Sequence, residues 1–356
     1  MAILTYEEFI EKFPIVKNKT KELAKQILPL NPSIELAEIV AAVLTDGHID
    51  WKSKNRTPRP SKVILYSSNK EECEWFIQLV ISIFGIKGKS TPYKPKNGYY
   101  KLQPYKAQID NSATARILIL LGVTPGDKTK TGYTIPNWVL QGSKEIKLAF
   151  LKTIFTFDGC KPFKRKSTWT ISYSCNVSKD ALPKGLLFFD QLKNILNEFD
   201  VTTGGVCQHL KKNSKFMLLM SISARKSIVN FYKNIGYLNQ TKQERLSFAV
   251  KEIFKLLRLD LKENSIVLEK LKRIYGTDKE TLNFMNKELS SNYSYRQFEH
   301  FRRNESMVPL EIIIFALQKT NHENYLPEWA KFLTNCYLSK EPLINSSTKS
   351  LAFEGE

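Results

Sequence analysis

Hydrophobic and polar positions follow two different periods between residues 34 and 260. Apolar residues recur at helical spacing in stretches such as "LAEIVAAVL" and "KEECEWFIQLVISIF", whereas they alternate with polar residues in "SKVILYSSN" and "TWTISYSCNV". The first period is typical of amphipathic helices and the second of half-buried strands. Taken in chain order, these segments predict the succession α-β-β-α-β-β-α twice.

Landmarks in the two successions keep nearly one spacing. The Asp-Gly pairs that begin at residues 46 and 158 are 112 positions apart, and Lys128 and Lys242 are 114 positions apart. The glycines of "LLGV" and "NIGY" also repeat after 114 positions. Matched landmarks at one spacing indicate a duplicated unit and predict two subdomains related by a pseudo-twofold axis.

The predicted fold class is therefore α+β, with two αββαββα subdomains over residues 34–141 and 142–260. An N-terminal extension covers residues 1–33, and a C-terminal helical region covers residues 261–356. In that last region, "YRQFEHFRR" and the Pro-led "PLEIIIFALQ" predict two helices separated by a polar turn. The outline fits a DNA-binding helix-turn-helix and a plain helical hairpin equally well.

The charge of the chain indicates an anionic partner. Lys and Arg number 54 against 35 Asp and Glu, which gives a formal net charge of +19. Nucleic acid is favoured over a membrane surface, because the basic residues are spread through predicted strands instead of one amphipathic helix. No apolar run is long enough to span a bilayer and the N-terminus does not resemble a signal peptide, so we expect a cytoplasmic protein without a membrane partner.

Sulfur chemistry is not expected to hold a metal. The five cysteines show no CxxC spacing, and their number is odd. This usage favours reduced, structural thiols over a disulfide framework or a zinc site.

Each Asp-Gly pair stands at the end of a predicted helix, where a carboxylate costs about 0.3–1 kcal/mol because it meets the negative end of the helix dipole. If the two helices pack together, Asp46 and Asp158 converge, and a divalent cation would offset their repulsion. Two carboxylates that hold metal at a symmetric centre suit phosphodiester hydrolysis. Gly47 and Gly159 fit a close backbone approach and a left-handed turn after each helix. The alternative is that Asp-Gly only caps helices and opens turns; the shared register favours the metal site.

The two helix ends, "IVAAVLTDG" and "LKTIFTFDG", resemble the nine-residue motif of the LAGLIDADG homing endonucleases in their single-chain, two-motif form. The second acidic residue and the glycine are present in both. Ala41 and Thr153 occupy the small-residue position where the motif helices pack closely. Leu44 and Thr156 depart from the family, because they stand at its first acidic position.

The resemblance covers about residues 34–260 and implies a site and a way of binding DNA. It implies that the motif helices form the subdomain interface, that Asp46 and Asp158 are metal ligands, with Gly47 and Gly159 at the same metal site, and that saddle-shaped antiparallel sheets lie along the DNA major groove. It also places a basic residue near each half of the site. These residues are Lys128 and Lys242, whose role would be to polarise an attacking water or to stabilise charge on the phosphate.

The implied function is that of a monomeric, site-specific double-strand DNA endonuclease that uses Mg²⁺, with Mn²⁺ as a substitute. The alternative keeps the fold without the cleavage, as an RNA maturase that assists intron splicing or as a non-cleaving DNA-binding protein. The chain lacks a splicing Cys and a His-Asn terminus, so we expect it to be free-standing instead of carried in an intein.

The expected DNA contacts are basic residues of the strand segments and of the C-terminal helices. They are Lys52, Lys54, Arg56, Lys62, Lys101, Lys106, Lys161, Lys164, Arg165, Lys166, Lys211, Lys215, Arg296, Arg302 and Arg303. Because strand residues alternate between faces, only about half of those on strands are expected on the face toward DNA. The strand aromatics Trp169 and Tyr173 fit either DNA contact or packing.

Overall fold

The computed structural model describes residues 2–52, 59–94, 103–211, 214–256, 258–259, 264–303 and 308–320. Lys54, Arg56 and Lys101, three of the predicted DNA contacts, lie outside the described residues. The chain divides into two compact units, Met1–Leu246 and Ser247–Glu356. Each unit is described by itself below.

The first repeat of the larger unit has the predicted order of elements. Two short helices precede it. In chain order the elements are α1 Tyr6–Lys12, α2 Asn18–Ile27, α3 Ile34–Leu44, β1 Gly47–Lys52, β2 Arg59–Ser67, α4 Lys70–Phe84, β3 Lys89–Pro92, β4 Tyr105–Ile109, α5 Ser112–Leu120, and the single turns α6 Lys128–Thr131 and α7 Asn137–Leu140.

The second repeat has the same order. Its elements are α8 Lys144–Phe157, β5 Phe163–Arg165, β6 Thr168–Val177, α9 Leu182–Asn197, β7 Cys207–Leu210, β8 Phe216–Ile222, α10 Arg225–Asn234 and α11 Gln240–Leu256. The succession αββαββα therefore occurs twice, as the hydrophobic pattern predicts.

Each repeat builds one four-stranded antiparallel sheet. The strand orders are β1-β2-β4-β3 and β5-β6-β8-β7, so the two sheets have equivalent topologies. Helices cover one face of each sheet: α4 and α5 pack on the first, and α9 and α10 pack on the second. The α+β fold class and its internal duplication are confirmed.

The helices α3 and α8 pack against each other at the centre of the larger unit. Every residue of α3 from Ile39 to Leu44 is at most 1% exposed, which is typical of a helix surrounded by protein on all sides. Ala41 and Thr153 are fully buried, as expected of small side chains where two helix backbones approach closely.

The smaller unit is helical where the sequence predicts helices. Its elements are β9 Arg258–Leu259, α12 Asn264–Tyr275, α13 Asp278–Glu288, α14 Tyr295–Arg302, β10 Val308–Pro309 and α15 Leu310–Lys319. Ser294 and Gln297 form a capping box at the start of α14. The two-residue strands β9 and β10 pair with each other, and the hydrophobic pattern does not predict them because two residues are too short to show a period. Within the described part of the chain, no helix is both long and apolar enough to cross a membrane.

Candidate metal and phosphate site

Asp46 lies in the turn that joins α3 to β1. Helix α3 ends at Leu44, and the hydroxyl of the next residue, Thr45, donates to the carbonyl oxygen of Ala41 at 2.9 Å. The same hydroxyl lies 3.1 Å from the carbonyl oxygen of Ala42, in the last turn, where helix carbonyls lack a backbone partner. Strand β1 begins at Gly47, so Asp46 stands between a buried helix end and the edge strand of the first sheet.

Asp158 has the equivalent position in the second repeat. It is the C-cap residue of α8, and the following Gly159 makes an antiparallel bridge to Tyr173 of β6. The prediction that two motif helices end at Asp-Gly is confirmed for both repeats.

The two glycines are required by close contacts. A Cβ atom at Gly47 would lie 2.7 Å from Val43 Cα, and one at Gly159 would lie 2.4 Å from the carbonyl oxygen of Phe155. Real Cβ atoms do not approach other atoms so closely. The predicted left-handed turn is wrong for both glycines, because neither has a positive φ. The chain passes from helix to strand without it, and the crowding alone requires glycine.

The two carboxylates have raised pKa values, and the charge of Asp46 contributes to the shift at Asp158. Burial, and next the negative charge of Asp46, raise the pKa of Asp158 from 3.8 to about 7. Asp46 is exposed at the surface, yet the protein around its carboxylate still raises its pKa, against the opposing positive charges of Lys128 and Lys242. Because Asp46 reaches solvent, its charge is screened more than that of Asp158. The two predicted acids are therefore close enough for the charge of Asp46 to raise the pKa of Asp158.

The ammonium of Lys128 caps the end of α3. Its Nζ atom lies 3.1 Å from the carbonyl oxygen of Val43, 2.9 Å from that of Leu44 and 2.6 Å from that of Gly47, and it also donates to the carbonyl of Thr45. An ammonium has only three protons to donate, so these carbonyls occupy it fully. Burial lowers the pKa of Lys128 to about 8, while Asp158 and Asp46 act in the opposite direction.

Lys242 repeats this arrangement at the end of α8. Its Nζ atom donates to the carbonyl of Thr156 and lies 2.6 Å from that of Gly159 and 3.5 Å from that of Phe157. A cation is favourable where a helix exposes its last carbonyls. Both predicted lysines therefore lie at the site, and each one contacts the backbone on both sides of its acidic residue.

Two tyrosines at the site were not assigned this role from the sequence. The hydroxyl of Tyr173 donates to Oδ2 of Asp158 at 3.2 Å, and the hydroxyl of Tyr133 lies 3.2 Å from that of Tyr173. Tyr173 and Trp169 are 0% and 3% exposed, so both are packing residues and not DNA contacts. Burial raises the pKa of both tyrosines well above 10, so they remain neutral donors.

Glu72 is a third acid linked to the site. It lies in α4 of the first repeat, and its Oε1 atom accepts from the side-chain amide of Asn239 at 2.7 Å. Its charge raises the pKa of Asp46 and opposes the burial that lowers the pKa of Lys242. Oδ1 of Asn239 accepts from the backbone N–H of Lys242 at 3.0 Å. Glu72 lies outside both nine-residue motif segments, so its place at the site is seen only in the folded structure.

The acids suit a hard cation in number and kind. Among the residues that the structure describes, no group of three or more His, Cys, Asp or Glu side chains could hold a metal ion by itself. Mg²⁺ commonly uses one or two protein carboxylates and completes its shell with water and substrate phosphate. Asp46 and Asp158 fit this pattern.

The predicted DNA contacts of the first sheet lie on its strands. Lys52 ends β1, and Lys106 of β4 is paired with Tyr66 of β2. Lys62 forms an ion pair with Asp50, with 3.4 Å between Nζ and Oδ2.

The basic residues of the second repeat cluster at strand ends. Near β5 and the following turn, and beside the turn between β7 and β8, they are Lys161, Lys164, Arg165, Lys166, Lys211 and Lys215. All of them are exposed except Lys215, which is half-buried.

The arginines of the helical unit differ in their surroundings. Arg302 is paired with Glu269 and lies 3.6 Å from Asp278, and these bonds raise its pKa. Arg303 lies 3.3 Å from Glu299, and Arg296 is exposed. Their contact with DNA stays a prediction.

Comparisons with known proteins give relatives that are much longer than this chain. No family model matches it. It is 30% identical over 166 residues to the replication factor C small subunit of Methanocaldococcus jannaschii, which covers 46% of this chain and 9% of the relative. It is 28% identical over 265 residues to the tRNA-splicing ligase RtcB of Pyrococcus furiosus, and this match covers 70% of this chain and 26% of the relative. The chain thus spans only a small part of either protein, and their activities are not transferred to it.

Solved structures to which this chain shows structural similarity include the homing endonuclease I-WcaI bound to its DNA recognition sequence. Identity to it is 15%, coverage is 67% of this chain and 97% of that one, and the TM-score is 0.41. Full-length DUF199/WhiA from Thermatoga maritima is 12% identical, with coverage of 89% and 96% and a TM-score of 0.38. Values this low assign neither a family nor an activity.

Proposed function

We propose that this chain is a metal-dependent, site-specific double-strand DNA endonuclease of the LAGLIDADG type. The observation that carries the proposal is the pair of coupled carboxylates, Asp46 and Asp158, each followed by a crowded glycine and each flanked by a capping lysine. A protein that only folds has no need of two acids at adjacent helix ends, where burial raises the pKa of both and the charge of Asp46 raises that of Asp158 further.

The acids would hold Mg²⁺, or Mn²⁺ in its place, through their hard oxygen atoms. When bound, the metal supplies Lewis-acid activation of the phosphodiester and of water. Asp46 and Asp158 bind and orient it. The hydroxyl of Tyr173 fixes the direction of the Asp158 carboxylate, and Lys128 and Lys242 keep positive charge beside the point where a phosphate must approach.

The net charge of +19 and the two sheets support DNA as the substrate. Basic residues lie on the strands of the first sheet and at the strand ends of the second. Contacts of this kind to phosphates position a duplex, and side chains of the sheet faces are then available to base edges. The proposed enzyme acts as a monomer, because one chain already contains both halves of the site.

A second candidate is a nucleic-acid-binding protein that does not cleave, including a maturase for intron RNA. The capping role of the lysines favours it, since an ammonium held by three or four carbonyl oxygens is poorly placed to polarise water.

The test begins with selection of bound duplexes from a randomised DNA pool in Ca²⁺, followed by cleavage of a plasmid that carries the selected site in Mg²⁺. We expect double-strand cutting by the wild type and by the control Asp190→Asn, which alters an exposed acid of α9. Asp46→Asn and Asp158→Asn should each reduce the rate about 10³-fold or more while binding is kept.

Three results would contradict the proposal in different ways. Cutting at the wild-type rate by either site variant would show that the active site lies elsewhere. A selected duplex that the wild type binds and never cuts would support the non-cleaving protein. Binding of a structured intron RNA with no DNA selected would support the maturase.

A further inference from the structure

The two sheets present different chemistry on the faces that the helices of their unit leave uncovered. In the second sheet, Ile171, Tyr173, Leu218 and Met220 are at most 1% exposed and lie on the helix-covered face. Because successive strand residues point to opposite faces, the residues between them lie on the other side. We call this side the outer face of the second sheet. Its central residues are Ser172, Ser174, Asn176, Cys207, His209, Met217, Leu219 and Ser221, and toward β5 it continues through Thr170 opposite Phe163 and Thr168 opposite Arg165.

The strand register arranges the outer face of the second sheet in three rows. Ser172 is opposite Ser221 in the first row, which lies next to Cys160, since the N–H of Cys160 donates to the carbonyl of Ser172 at 2.8 Å. This row is therefore the one beside the Asp158 half of the site.

The next two rows contain the larger side chains. Leu219 stands between Ser174 and Cys207. In the last row, Met217 stands between Asn176 and His209. Leu219 and Met217 are half-buried and Asn176 is exposed, so these side chains remain accessible from the outer face.

None of the positions in these three rows holds Lys, Arg, Asp or Glu, and Arg165 lies on the same face only at its β5 end. The corresponding face of the first sheet differs, since Lys62 stands opposite Asp50, and Lys106 stands opposite Tyr66. The charges of the second sheet lie instead at its ends, where Arg165, Lys166 and Lys211 are exposed. Uncharged rows between basic ends leave the base edges of a groove to the side chains of the rows, while the basic ends can contact phosphates.

We infer that the outer face of the second sheet reads an A·T-rich stretch of the major groove in the half-site beside Asp158. This inference rests on the proposed function and adds the sequence class of its substrate. Apolar side chains distinguish thymine through its 5-methyl group, which Leu219 and Met217 are placed to contact. The Asn176 amide matches adenine, which offers an acceptor and a donor side by side in this groove. Ser174 and Ser221, which are half-buried, can pair with either base, whereas Ser172 is buried.

The spacing of the rows agrees with the spacing of base pairs. Two residues along an antiparallel strand advance about 6.8 Å, and two base-pair steps advance about the same distance. Three rows therefore follow roughly five base pairs, with the methyl-contacting residues about two steps apart.

The experiment uses the full chain and the duplex selected in Ca²⁺, and it measures dissociation constants. Deoxyuridine replaces each thymine in turn, which removes the methyl group and leaves base pairing unchanged. We expect the wild-type dissociation constant to rise about fourfold for each methyl that is contacted, the value of one buried carbon. Leu219→Ala should bind the thymine duplex more weakly and lose its sensitivity to deoxyuridine at one position, and Met217→Ala should do so about two steps away.

The matched control is Lys106→Ala in the first sheet, which should weaken binding yet keep the sensitivity to deoxyuridine. The inference is overturned if neither half of the selected site is A·T-rich, or if deoxyuridine leaves wild-type binding unchanged. Tight selected binding without cleavage contradicts only the nuclease, because these readouts measure binding. If no duplex is selected, DNA binding and this inference fail together.

Discussion

The two halves of the candidate site share a backbone and differ in one neighbour. Gly47 is paired with Leu65 in the first sheet, and Gly159 is paired with Tyr173 in the second. Leu65 has no polar group to offer Asp46, whereas Tyr173 donates its hydroxyl to Asp158. The duplicated register thus keeps the acid, the glycine and the lysine cap, while the side chain opposite the glycine has changed.

This difference separates the features that recur in both repeats from the one that depends on a particular side chain. The lysine caps contact carbonyl oxygens, which every sequence possesses, so they occur in both repeats. The hydrogen bond to Asp158 needs a tyrosine at one position and occurs in one repeat only. The Asp158 carboxylate accepts from a buried hydroxyl. The Asp46 carboxylate has burial as the main cause of its raised pKa, and the charges of Lys128 and Lys242 oppose that shift.

The lysine caps should give the largest effect on stability. Lys128→Met leaves the last carbonyls of α3 without their cation, and we expect the free energy of unfolding to fall by about 2 kcal/mol. Lys242→Met should cost less, because Lys242 contacts three carbonyls where Lys128 contacts four. Urea unfolding of both variants measures this, beside the control Lys130→Met, which alters an exposed lysine two residues from Lys128. Stability unchanged in Lys128→Met would show that the ammonium is not a cap.

The pH dependence of the metal-free protein should separate the two acids. Because the pKa of Asp158 is about 7 in the fold against 3.8 normally, the folded state binds a proton that the unfolded state has lost. Stability is therefore greatest below pH 4 for this group and declines as the pH rises to 7. Lys128, with a pKa of about 8 against 10.5, adds stability again only as the pH rises from 8 toward 10.5.

Asp158→Asn removes the first of these declines, so its melting temperature at pH 7.5 without metal should rise by about 2–4 °C for each kcal/mol recovered. Asp46→Asn should raise the melting temperature by a smaller amount, since Asp46 is exposed. A smaller decline should remain in Asp158→Asn, because Glu38 also has a pKa raised to about 7 by burial. Thermal melts of both variants from pH 4 to pH 8 test the order; a larger gain in Asp46→Asn would reverse the comparison.

Among these variants, Tyr173→Phe should have the smallest effect on stability. It removes the donor to Asp158 and leaves the ring packing intact, so we expect a loss of about 1 kcal/mol in the free energy of unfolding. In the proposed enzyme, Ca²⁺ titration should also show weaker metal binding, because the Asp158 carboxylate is no longer held in one direction. Tyr133→Phe removes the partner of the Tyr173 hydroxyl and leaves the bond to Asp158 in place, so it should lower metal affinity less than Tyr173→Phe does. Equal metal affinity in Tyr173→Phe and the wild type would leave the tyrosine a purely structural role.

The sequence predicts the backbone of this protein better than its side-chain contacts. Strict alternation in "TWTISYSCNV" and the helical period in "KEECEWFIQLVISIF" survive into β6 and α4, because burial on one face imposes those periods. The Asp-Gly pairs could be found because duplication preserves register.

What could not be predicted depends on distant parts of the chain. The contact of Lys128 with Leu44 joins residues 84 positions apart, and that of Glu72 with Asn239 joins residues 167 apart. No local period encodes such contacts. The prediction of left-handed turns at Gly47 and Gly159 is wrong. Glycine is required there by crowding, and in a sequence such a glycine looks the same as one that is required by a positive φ.

The bond between Glu72 and Asn239 limits how the two repeats can be recombined. It ties α4 of the first repeat to the residue that fixes the backbone of Lys242 in the second. A chimera that replaces residues 34–141 with the corresponding half of another protein would exchange Glu72 and leave Asn239 behind. The unpaired amide would then loosen the cap of the half that was never altered. Exchange of halves, the obvious route to a new target sequence, therefore has to move this acid and this amide together.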